Sequence, residues 1–306
     1  MRVTVLTGGV GGAKLVLGLM HSARVSSLTA VVNTGDDFRH LGLAVSPDID
    51  TLLYTLAGKA NAAQGWGRAG ESWSFMAALT SLGGPGWFNL GDGDLGLHVW
   101  RSARLAAGAT LSHVTADAAR AWGIAPTILP MSDDPVATWL DTEGGPLSFQ
   151  HYFVEQQCRP VVHAIRFEGA AQACPAPGVI EAIWAADAVL IAPSNPWLSV
   201  DPLLALPELA KALRETRAPV VAVSPLVGGK AVKGPTSKLM TELGLAPDNT
   251  TIAAHYASVI NAMLHDASDA PPPGLPARAT PTLMTTLADK IRVADAALAF
   301  AVDLAR

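Results

Sequence analysis

The stretch that decides the fold is Arg2-Val3-Thr4-Val5-Leu6-Thr7-Gly8-Gly9-Val10-Gly11-Gly12-Ala13-Lys14-Leu15. In it an apolar run enters a glycine-rich turn, and the turn leads into a helical pattern. This is how α/β folds expose backbone N–H groups to a phosphate, and the helix dipole adds roughly half a positive charge there. The turn therefore predicts a phosphate or diphosphate site at Gly8, Gly9, Gly11, Gly12 and Lys14. The alternative is a tight strand-to-helix connection that holds no ligand.

The spacing of the glycines matches neither of two common phosphate-loop fingerprints. The dinucleotide pattern G-x-G-x-x-G would begin at Gly9 and Gly11, but Lys14 stands where its third glycine belongs. A Walker loop would need serine or threonine where this chain has Leu15. A plain nucleotide-dependent dehydrogenase is therefore disfavoured.

Composition and charge narrow the class of protein. The chain has 306 residues, of which 50% are hydrophobic, so a large core can form without a stabilising cofactor. A net charge of -5 and a pI near 5.9 argue against general nucleic-acid binding. Cys158 and Cys174 form no paired motif, so neither a disulfide nor a zinc site is expected. With no signal-type or bilayer-spanning apolar segment, we expect a cytoplasmic protein that does not bind membranes.

Apolar β-rich runs alternate with amphipathic helical stretches along the chain. The predicted strands are Val3–Leu6, Thr29–Val32, Thr127–Leu129, Val161–Phe167, Ala188–Ala192 and Val220–Val223. The predicted helices are Ala13–His21, Asp50–Leu56, Ser112–Trp122, Val179–Ala185, Pro207–Glu215 and Ser237–Leu243. Unbroken apolar strands between helices are typical of a parallel sheet covered on both faces. The pattern predicts an α/β fold with a Rossmann-like, doubly wound, mostly parallel sheet.

Four segments depart from this alternation within what we read as one domain over residues 1–306. Residues 58–123 carry several tryptophans and no convincing strand, which predicts a helical insertion beside the sheet. Val136–Leu140 and Leu147–Gln150 predict a hairpin. Ser268–Pro281 reads as a loop without core residues, and Leu283–Leu304 reads as a closing helix.

Four carboxylates follow the second predicted strand. Asp36 and Asp37 end the run Asn33-Thr34-Gly35-Asp36-Asp37, and Asp48 and Asp50 lie in Ser46-Pro47-Asp48-Ile49-Asp50-Thr51. Four carboxylates near a phosphate loop repel one another unless a cation lies between them, and hard oxygen ligands suit Mg²⁺. The cluster predicts a magnesium site at Asp48 and Asp50, although either residue could instead cap the following helix.

A second acidic group lies in the predicted insertion. Asp92 and Asp94 occur in Leu90-Gly91-Asp92-Gly93-Asp94, and His98 follows Asp94 one helical turn later. A carboxylate can accept the proton of an attacking hydroxyl, and an imidazole can pair with developing charge. The alternative is a loop aspartate and a surface histidine.

Turns after the later strands carry further candidates for ligand binding. Strand ends at one edge of a doubly wound sheet converge on one crevice. The candidates after those strands are Ser194-Asn195-Pro196, Ser224-Pro225 and Gly228-Gly229-Lys230. Lys230 and Lys233 could neutralise phosphate charge or could simply be solvated.

In this order, the motifs resemble the 2-phospho-L-lactate transferase (CofD) family of coenzyme F-420 biosynthesis from Met1 to about Met284. Besides the segments quoted above, the resemblance includes Met131-Ser132-Asp133-Asp134-Pro135, Phe149-Gln150 and Lys238-Leu239-Met240. The resemblance implies a Mg²⁺-dependent transfer of a phospho-acid from a guanylyl-diphospho donor. The acceptor would be the ribityl hydroxyl of the deazaflavin 7,8-didemethyl-8-hydroxy-5-deazariboflavin (FO), and GMP would leave. It also implies a homodimer.

The resemblance further implies roles for individual residues. The glycine loop would hold the diphosphate, while Ser194, Asn195 and the Ser224–Lys230 loop would hold the guanosine. Asp48 and Asp50 would hold the metal, and Asp92, Asp94 and His98 would lie near the reacting hydroxyl.

A related family of UDP-sugar-binding regulators is the main alternative. Its members resemble Asp-Asp-Gly-Gly-Ser-Ser-Gly after the second strand, where this chain reads Asp36-Asp37-Phe38-Arg39-His40. That difference favours the transferase. The sequence does not distinguish phospholactate, phosphoenolpyruvate and phosphoglycerate as the transferred acid.

Overall fold

A computed structural model describes residues 1–61, 66–232 and 234–306. Its strands are β1 (Arg2–Thr7), β2 (Ser27–Val32), β3 (Phe38–His40), β4 (Leu43–Val45), β5 (Thr127–Pro130), β6 (Ala137–Thr142), β7 (Gly145–Ser148), β8 (Val162–Glu168), β9 (Ala188–Ile191), β10 (Val220–Val223), β11 (Leu226–Val227), β12 (Lys230–Ala231), β13 (Ala262–Asp266) and β14 (Ala277–Thr280). Its α-helices are α1 (Gly9–His21), α2 (Pro47–Leu56), α3 (Ser74–Ser81), α4 (Asp92–Ala106), α5 (Leu111–Ala121), α6 (Val179–Ala185), α7 (Asp201–Leu204), α8 (Pro207–Glu215), α9 (Thr236–Glu242), α10 (Asn249–His255) and α11 (Leu287–Leu304). Single π-helical turns occupy His151–Glu155 and Pro196–Val200.

The central sheet has seven strands in the order β14-β13-β10-β9-β1-β2-β5, and every pairing in it is parallel. The chain runs outward from β1 in one direction through β2 to β5, then returns to β9 and runs outward in the other. The strand order therefore reverses between β1 and β9, which is the switch point where open α/β sheets bind ligands. The predicted Rossmann-like, doubly wound fold is confirmed.

Helices cover both faces of this sheet, as the unbroken apolar strands require. Val3 and Val5 of β1 pack into a core with α1, α2, α5 and α11. Leu6 of the same strand joins the opposite core, with α6, α8 and α10. Successive side chains of a strand point to opposite faces, so one strand contributes side chains to both cores.

One predicted strand lies in a different sheet. Val161–Phe167 was expected in the parallel sheet, but β8 pairs antiparallel with β6 in a three-stranded sheet of order β7-β6-β8. Its sequence, Val-His-Ala-Ile-Arg-Phe-Glu, places polar residues along a largely exposed strand, and a parallel strand buried on both faces could not accommodate them. The predicted hairpin is confirmed as β6 and β7.

The expectation that Ser268–Pro281 is a loop throughout is also wrong. Within it, β14 pairs in parallel with β13 and forms the edge of the central sheet. The strand Ala277-Arg278-Ala279-Thr280 has no large apolar side chain, so its sequence carries no hydrophobic signal. Its place in the sheet comes from backbone pairing with the buried β13.

The closing helix α11 packs closely against α1. Thr286 caps it, forming a reciprocal capping box with Asp289. At Gly18 of α1, an added Cβ would overlap the backbone carbonyl of Lys290 in α11. In the described part of the chain, no helix has the length and apolar character needed to cross a membrane.

We predict that Gly18→Ala destabilises the protein by about 1–3 kcal/mol, because α1 and α11 must move apart to admit the methyl group. Urea unfolding measures the change. Gly96→Ala in α4 is the matched control, since a Cβ there meets open space and alanine favours a helix by up to about 1 kcal/mol. An unfolding midpoint for Gly18→Ala at or above the wild-type value would contradict the close packing.

Candidate active site

A cavity of about 670 Å³ lies at the switch point between β1 and β9. It brings together most of the candidate residues from the predicted strand ends. Those that line it are Gly8, Gly9, Gly11, Lys14, Asp36, Asp48, Asp50, Asp94, His98, Ser194, Asn195, Ser224 and Pro225. Residues far apart in sequence therefore line the same cavity.

Close packing explains the glycines of the first turn. Gly9 has a left-handed φ of +63°, which favours glycine. A Cβ at Gly11 would overlap the carbonyl of Pro193, and one at Gly12, which lies behind the cavity wall, would overlap Ser194 Oγ. The first turn and the turn after β9 therefore interlock through their backbones, and larger side chains would separate them.

Ser194 joins the same two turns by hydrogen bonds. Its Oγ donates to the Gly8 carbonyl at 2.7 Å and accepts from the Gly8 N–H at 3.3 Å. Asn195 accepts the N–H groups of Trp197 and Leu198 through Oδ1 and so caps the π-helical turn that follows. Its buried Nδ2 has no hydrogen-bond partner among the described residues, which leaves a donor for a ligand.

The side chain of Asp48, a residue of α2, lies against the N-terminus of α1. Its Oδ1 accepts the N–H of Gly9 at 2.7 Å, and its Oδ2 accepts from Asn33 Nδ2 at 2.9 Å. Asn33 in turn accepts the N–H of Gly35 at 2.8 Å, which fixes its amide. A carboxylate is therefore held where the helix dipole favours negative charge.

Burial raises the pKa values of the neighbouring carboxyl groups. Desolvation is the largest cause for Asp48, whose pKa rises to about 6 despite its two hydrogen bonds, with Asp50 adding to the rise. Desolvation also raises the pKa of Asp36 and of Asp37 well above the usual range, and the charge of Asp48 adds to both. Oδ1 of Asp36 and Oδ1 of Asp37 are buried and accept no hydrogen bond within the described ranges.

These carboxylates have the chemistry of a divalent-cation site. Their oxygens are hard ligands, and a cation would supply the charge that their raised pKa values show to be missing. The described residues contain no group of three or more His, Cys, Asp or Glu side chains arranged around one ion. Mg²⁺ commonly takes only one or two carboxylates together with substrate phosphates, so a smaller set of carboxylates is compatible with this chemistry.

Asp50 differs from its neighbours because it already has a cation. Both of its oxygens accept hydrogen bonds from the guanidinium of Arg101. Arg101 and Asp50 are both buried, with 1% and 5% of their surfaces exposed. Asp50 was predicted as both a metal ligand and a catalytic residue, and Arg101 was not predicted at all. Arg101 could have been noticed from its spacing, because it lies one turn after His98 on α4.

Asp94 and His98 lie together, as the helical spacing predicts. His98 Nε2 is 3.1 Å from Asp94 Oδ2. Tyr54 donates its hydroxyl to Asp94 Oδ1 at 2.5 Å. Although burial raises the pKa of Asp94, the contacts with His98 and Tyr54 and the charge of Arg101 outweigh it and lower the pKa overall. Asp94 is therefore an ionised acceptor at neutral pH, facing the cavity.

Asp92 lies two residues from Asp94 but outside the cavity lining. Its carboxylate accepts from Ser72 Oγ at 2.6 Å and from the N–H groups of Ser74 and Phe75 at 3.1 and 3.0 Å. Asp92 thus holds the start of α3. Asp92 therefore satisfies free N–H groups at a helix start, a structural role that aspartate commonly takes.

Several other candidates lie away from the cavity. Asp37 accepts from Ser46 Oγ at 2.6 Å behind the lining, and Pro196 is buried beneath it. Gly228 and Gly229 direct their N–H groups at Ser268 and Asp269, at 3.1 and 2.6 Å, and Lys230 is exposed. Lys233 lies outside the described residues.

Aromatic side chains form one side of the cavity. Phe149 and Phe153 stack with ring centroids 5.2 Å apart. Gln150, the residue after Phe149, donates to the Asp36 carbonyl at 3.2 Å. From the predicted insertion come Trp66 and Phe88. Trp66 is 50% exposed, whereas Trp100 packs against the core. Phe88 and Phe153 were missed because an isolated aromatic residue carries no sequence signal of its position.

A glycine turn, buried carboxylates and an aromatic wall around one switch-point cavity are typical of enzymes that handle nucleotides or phosphate esters. The family comparison is more specific. The profile described as 2-phospho-L-lactate transferase CofD matches residues 3–297, and the chain belongs to that family. It is therefore a phospho-acid transferase of coenzyme F-420 biosynthesis, and the predicted resemblance is confirmed.

Curated relatives span nearly the whole chain. A phosphoenolpyruvate transferase of Streptomyces griseus is 41% identical over 297 residues, covering 93% of each chain. One of Streptomyces coelicolor is 40% identical and covers 98% of each. One of Mycolicibacterium smegmatis is 36% identical and covers 93% of this chain and 94% of its own.

A crystal structure shares the fold at low sequence identity. A member of the UPF0052 family from Bacillus halodurans superposes with a TM-score of 0.65 over 97% of this chain and 100% of its own, at 16% identity. That likeness concerns the architecture alone.

The carboxylate cluster predicts how stability depends on pH in metal-free protein. A carboxyl group whose pKa is raised on folding binds its proton more tightly in the folded chain, so the free energy of unfolding falls as pH rises. For Asp48 the fall begins near its ordinary pKa of 3.8 and is complete above about 6. Urea unfolding in EDTA from about pH 4 to 7 measures it, and Asp48→Asn should flatten the slope. A wild-type stability that stays level or rises over this range would contradict the clustering of buried carboxyls.

Proposed function

We propose that this chain transfers a phosphoenolpyruvyl group from guanylyl-activated phosphoenolpyruvate to the terminal ribityl hydroxyl of FO. The observation that carries the proposal is the single cavity in which the glycine turn, the paired Asp94 and His98 and the aromatic wall meet. The choice of phosphoenolpyruvate over phospholactate or phosphoglycerate rests on the relatives called phosphoenolpyruvate transferases, at 36–41% identity.

The donor would lie along the strand ends on the glycine-turn side. The N–H groups of Gly8 and Gly9 bond Ser194 and Asp48, which leaves those of Val10 and Gly11, whose position in the first turn gives them no partner within the helix, to suit a diphosphate. Lys14, on the same turn, adds positive charge to the lining. Beyond it, Ser194, Asn195, Ser224 and Pro225 form the wall that would take the guanosine.

The acceptor would lie on the aromatic side. A deazaflavin ring is flat and largely apolar, and it fits against the stacked Phe149 and Phe153 and the half-exposed Trp66. The ribityl chain would then reach inward to Asp94 and His98. This arrangement directs the hydroxyl at the diphosphate.

In the transfer, the ribityl oxygen forms a bond to the phosphorus that carries the enolpyruvyl group. The bond from that phosphorus to the bridging oxygen breaks, and GMP departs with the bonding electron pair. Asp94 accepts the proton of the hydroxyl, and His98 and Tyr54 hold its carboxylate in place. Backbone N–H groups of the glycine turn stabilise the charge on the non-bridging oxygens.

Asp36 and Asp48 would hold the Mg²⁺ that the family resemblance implies. Bound there with the diphosphate, Mg²⁺ would neutralise charge on the phosphate oxygens as the linkage breaks. Asp50 stands beside this site with its charge compensated by Arg101. The assignment accounts for the buried Oδ1 of Asp36, which lacks a partner among the described residues.

We expect FO and guanylyl-activated phosphoenolpyruvate, incubated with the enzyme and Mg²⁺, to yield the dehydro form of F-420-0 together with GMP. Mass spectrometry identifies the product, and parallel reactions with the phospholactate and phosphoglycerate donors test the choice of acid. EDTA should abolish product. Turnover of another donor in preference to the enolpyruvyl one would overturn the assignment of the acid, and no turnover of any would overturn the transfer.

We expect Asp94→Asn to lower kcat by about 10²–10⁴-fold, because the hydroxyl loses its proton acceptor. Asp92→Asn is the matched control two residues away. Because Asp92 accepts hydrogen bonds from Ser72, Ser74 and Phe75, replacing one of its oxygens by an NH₂ group should cost about 1–3 kcal/mol of stability and leave kcat close to that of the wild type. Steady-state kinetics and urea unfolding of both variants separate the roles, and equal kcat losses would contradict them.

A further inference from the structure

Arg101 is the most buried charged side chain near the cavity, yet it does not line it. It lies on α4, one helical turn after His98. Its guanidinium donates to both oxygens of Asp50 and, at 3.3 Å, to the carbonyl of Ala44. Its Nη1 is also 3.4 Å from His98 Nδ1.

The guanidinium stays charged in this buried position. Burial by itself lowers the pKa of Arg101, but the charge and hydrogen bonds of Asp50, with smaller contributions from Asp37 and Tyr54, raise it overall. A buried ion pair of this kind contributes little net stability compared with apolar residues of similar size. Stability therefore gives no sufficient reason for an arginine at this position.

The contact with His98 gives a more specific reason. A guanidinium has N–H donors and no acceptor, so His98 Nδ1 must accept where it faces Arg101. Asp50 Oδ2 is 3.7 Å from the same nitrogen, too far for a hydrogen bond. The ring proton is then on Nε2, which is the nitrogen 3.1 Å from Asp94 Oδ2.

We propose that Arg101 is a positioning residue, which holds Asp50 and sets His98 in the Nε2–H tautomer so that the ring turns this N–H towards Asp94. One oxygen of Asp94 accepts from Tyr54, and the other lies 3.1 Å from His98 Nε2 in a close polar contact rather than an aligned hydrogen bond. The kinetic consequence rests on the proposed transfer, whereas the tautomer does not.

Arg101→Lys tests the proposal while keeping the positive charge. A lysine ammonium is a point donor and cannot bridge Asp50, Ala44 and His98 as the planar guanidinium does. We expect kcat to fall about 100-fold, with much smaller changes in KM for the donor, because the misplaced groups act on the reacting hydroxyl. Arg104→Lys is the matched control on the same helix, since Arg104 pairs with Asp117 at a half-exposed position, and it should keep wild-type kcat.

Nitrogen-15 NMR of the histidine side chains reads the tautomer in the wild-type chain, with His98→Gln identifying the signal. We expect the hydrogen of His98 on Nε2 alone, and a mixture of tautomers in Arg101→Lys. A hydrogen on Nδ1 in the wild type, or a folded Arg101→Lys with wild-type kcat, would overturn the proposal. So would a kcat loss with the His98 signal unchanged. If Arg101→Lys does not fold, the position of the His98 hydrogen in the wild-type spectrum decides whether the proposed tautomer is correct. If the wild type shows no turnover, the proposed transfer is refuted, but the proposed tautomer is not.

Discussion

The structure depends on the interlocked turns between β1 and β9. Ser194 bonds the Gly8 backbone from one side, while the carboxylate of Asp48 takes the N–H of Gly9 from the other. Gly11 fits directly against the Pro193 carbonyl. Because these contacts join the two halves of the sheet where the strand order reverses, they also set the floor of the cavity. The same close approach that packs the fold brings the N-terminus of α1 to the cavity lining.

Around that floor, the acidic groups divide into two environments. Asp36 and Asp48 are buried and form no ion pair within the described residues, and burial raises the pKa of each. Asp50 has the guanidinium of Arg101, and Asp94 has Tyr54 and His98. Identical side chains therefore stand in different electrostatic environments. Neighbouring groups, rather than residue type, decide the division.

The parallel sheet and most of its helices could be predicted, because each buried strand must be apolar over its whole length and each covering helix must be amphipathic. Strand β14 could not, since Ala277-Arg278-Ala279-Thr280 gains its place through backbone bonds to β13. Likewise β8 was assigned to the wrong sheet, because a short strand pattern does not specify its partner. At the site, the i, i+4 spacing of Asp94 and His98 was sufficient to predict that their side chains meet, because both residues lie on one helix.

By itself, the sequence determined the doubly wound class, the glycine-rich turn between strand and helix, and the family. All three are expressed in local patterns and motif order, which a chain carries before it folds. Only the tertiary structure decided that Asp92 caps a helix while Asp94 faces the cavity, and that Arg101 belongs to the site. Such roles come from contacts between residues distant in the chain, and those contacts exist only once the helices and strands have packed.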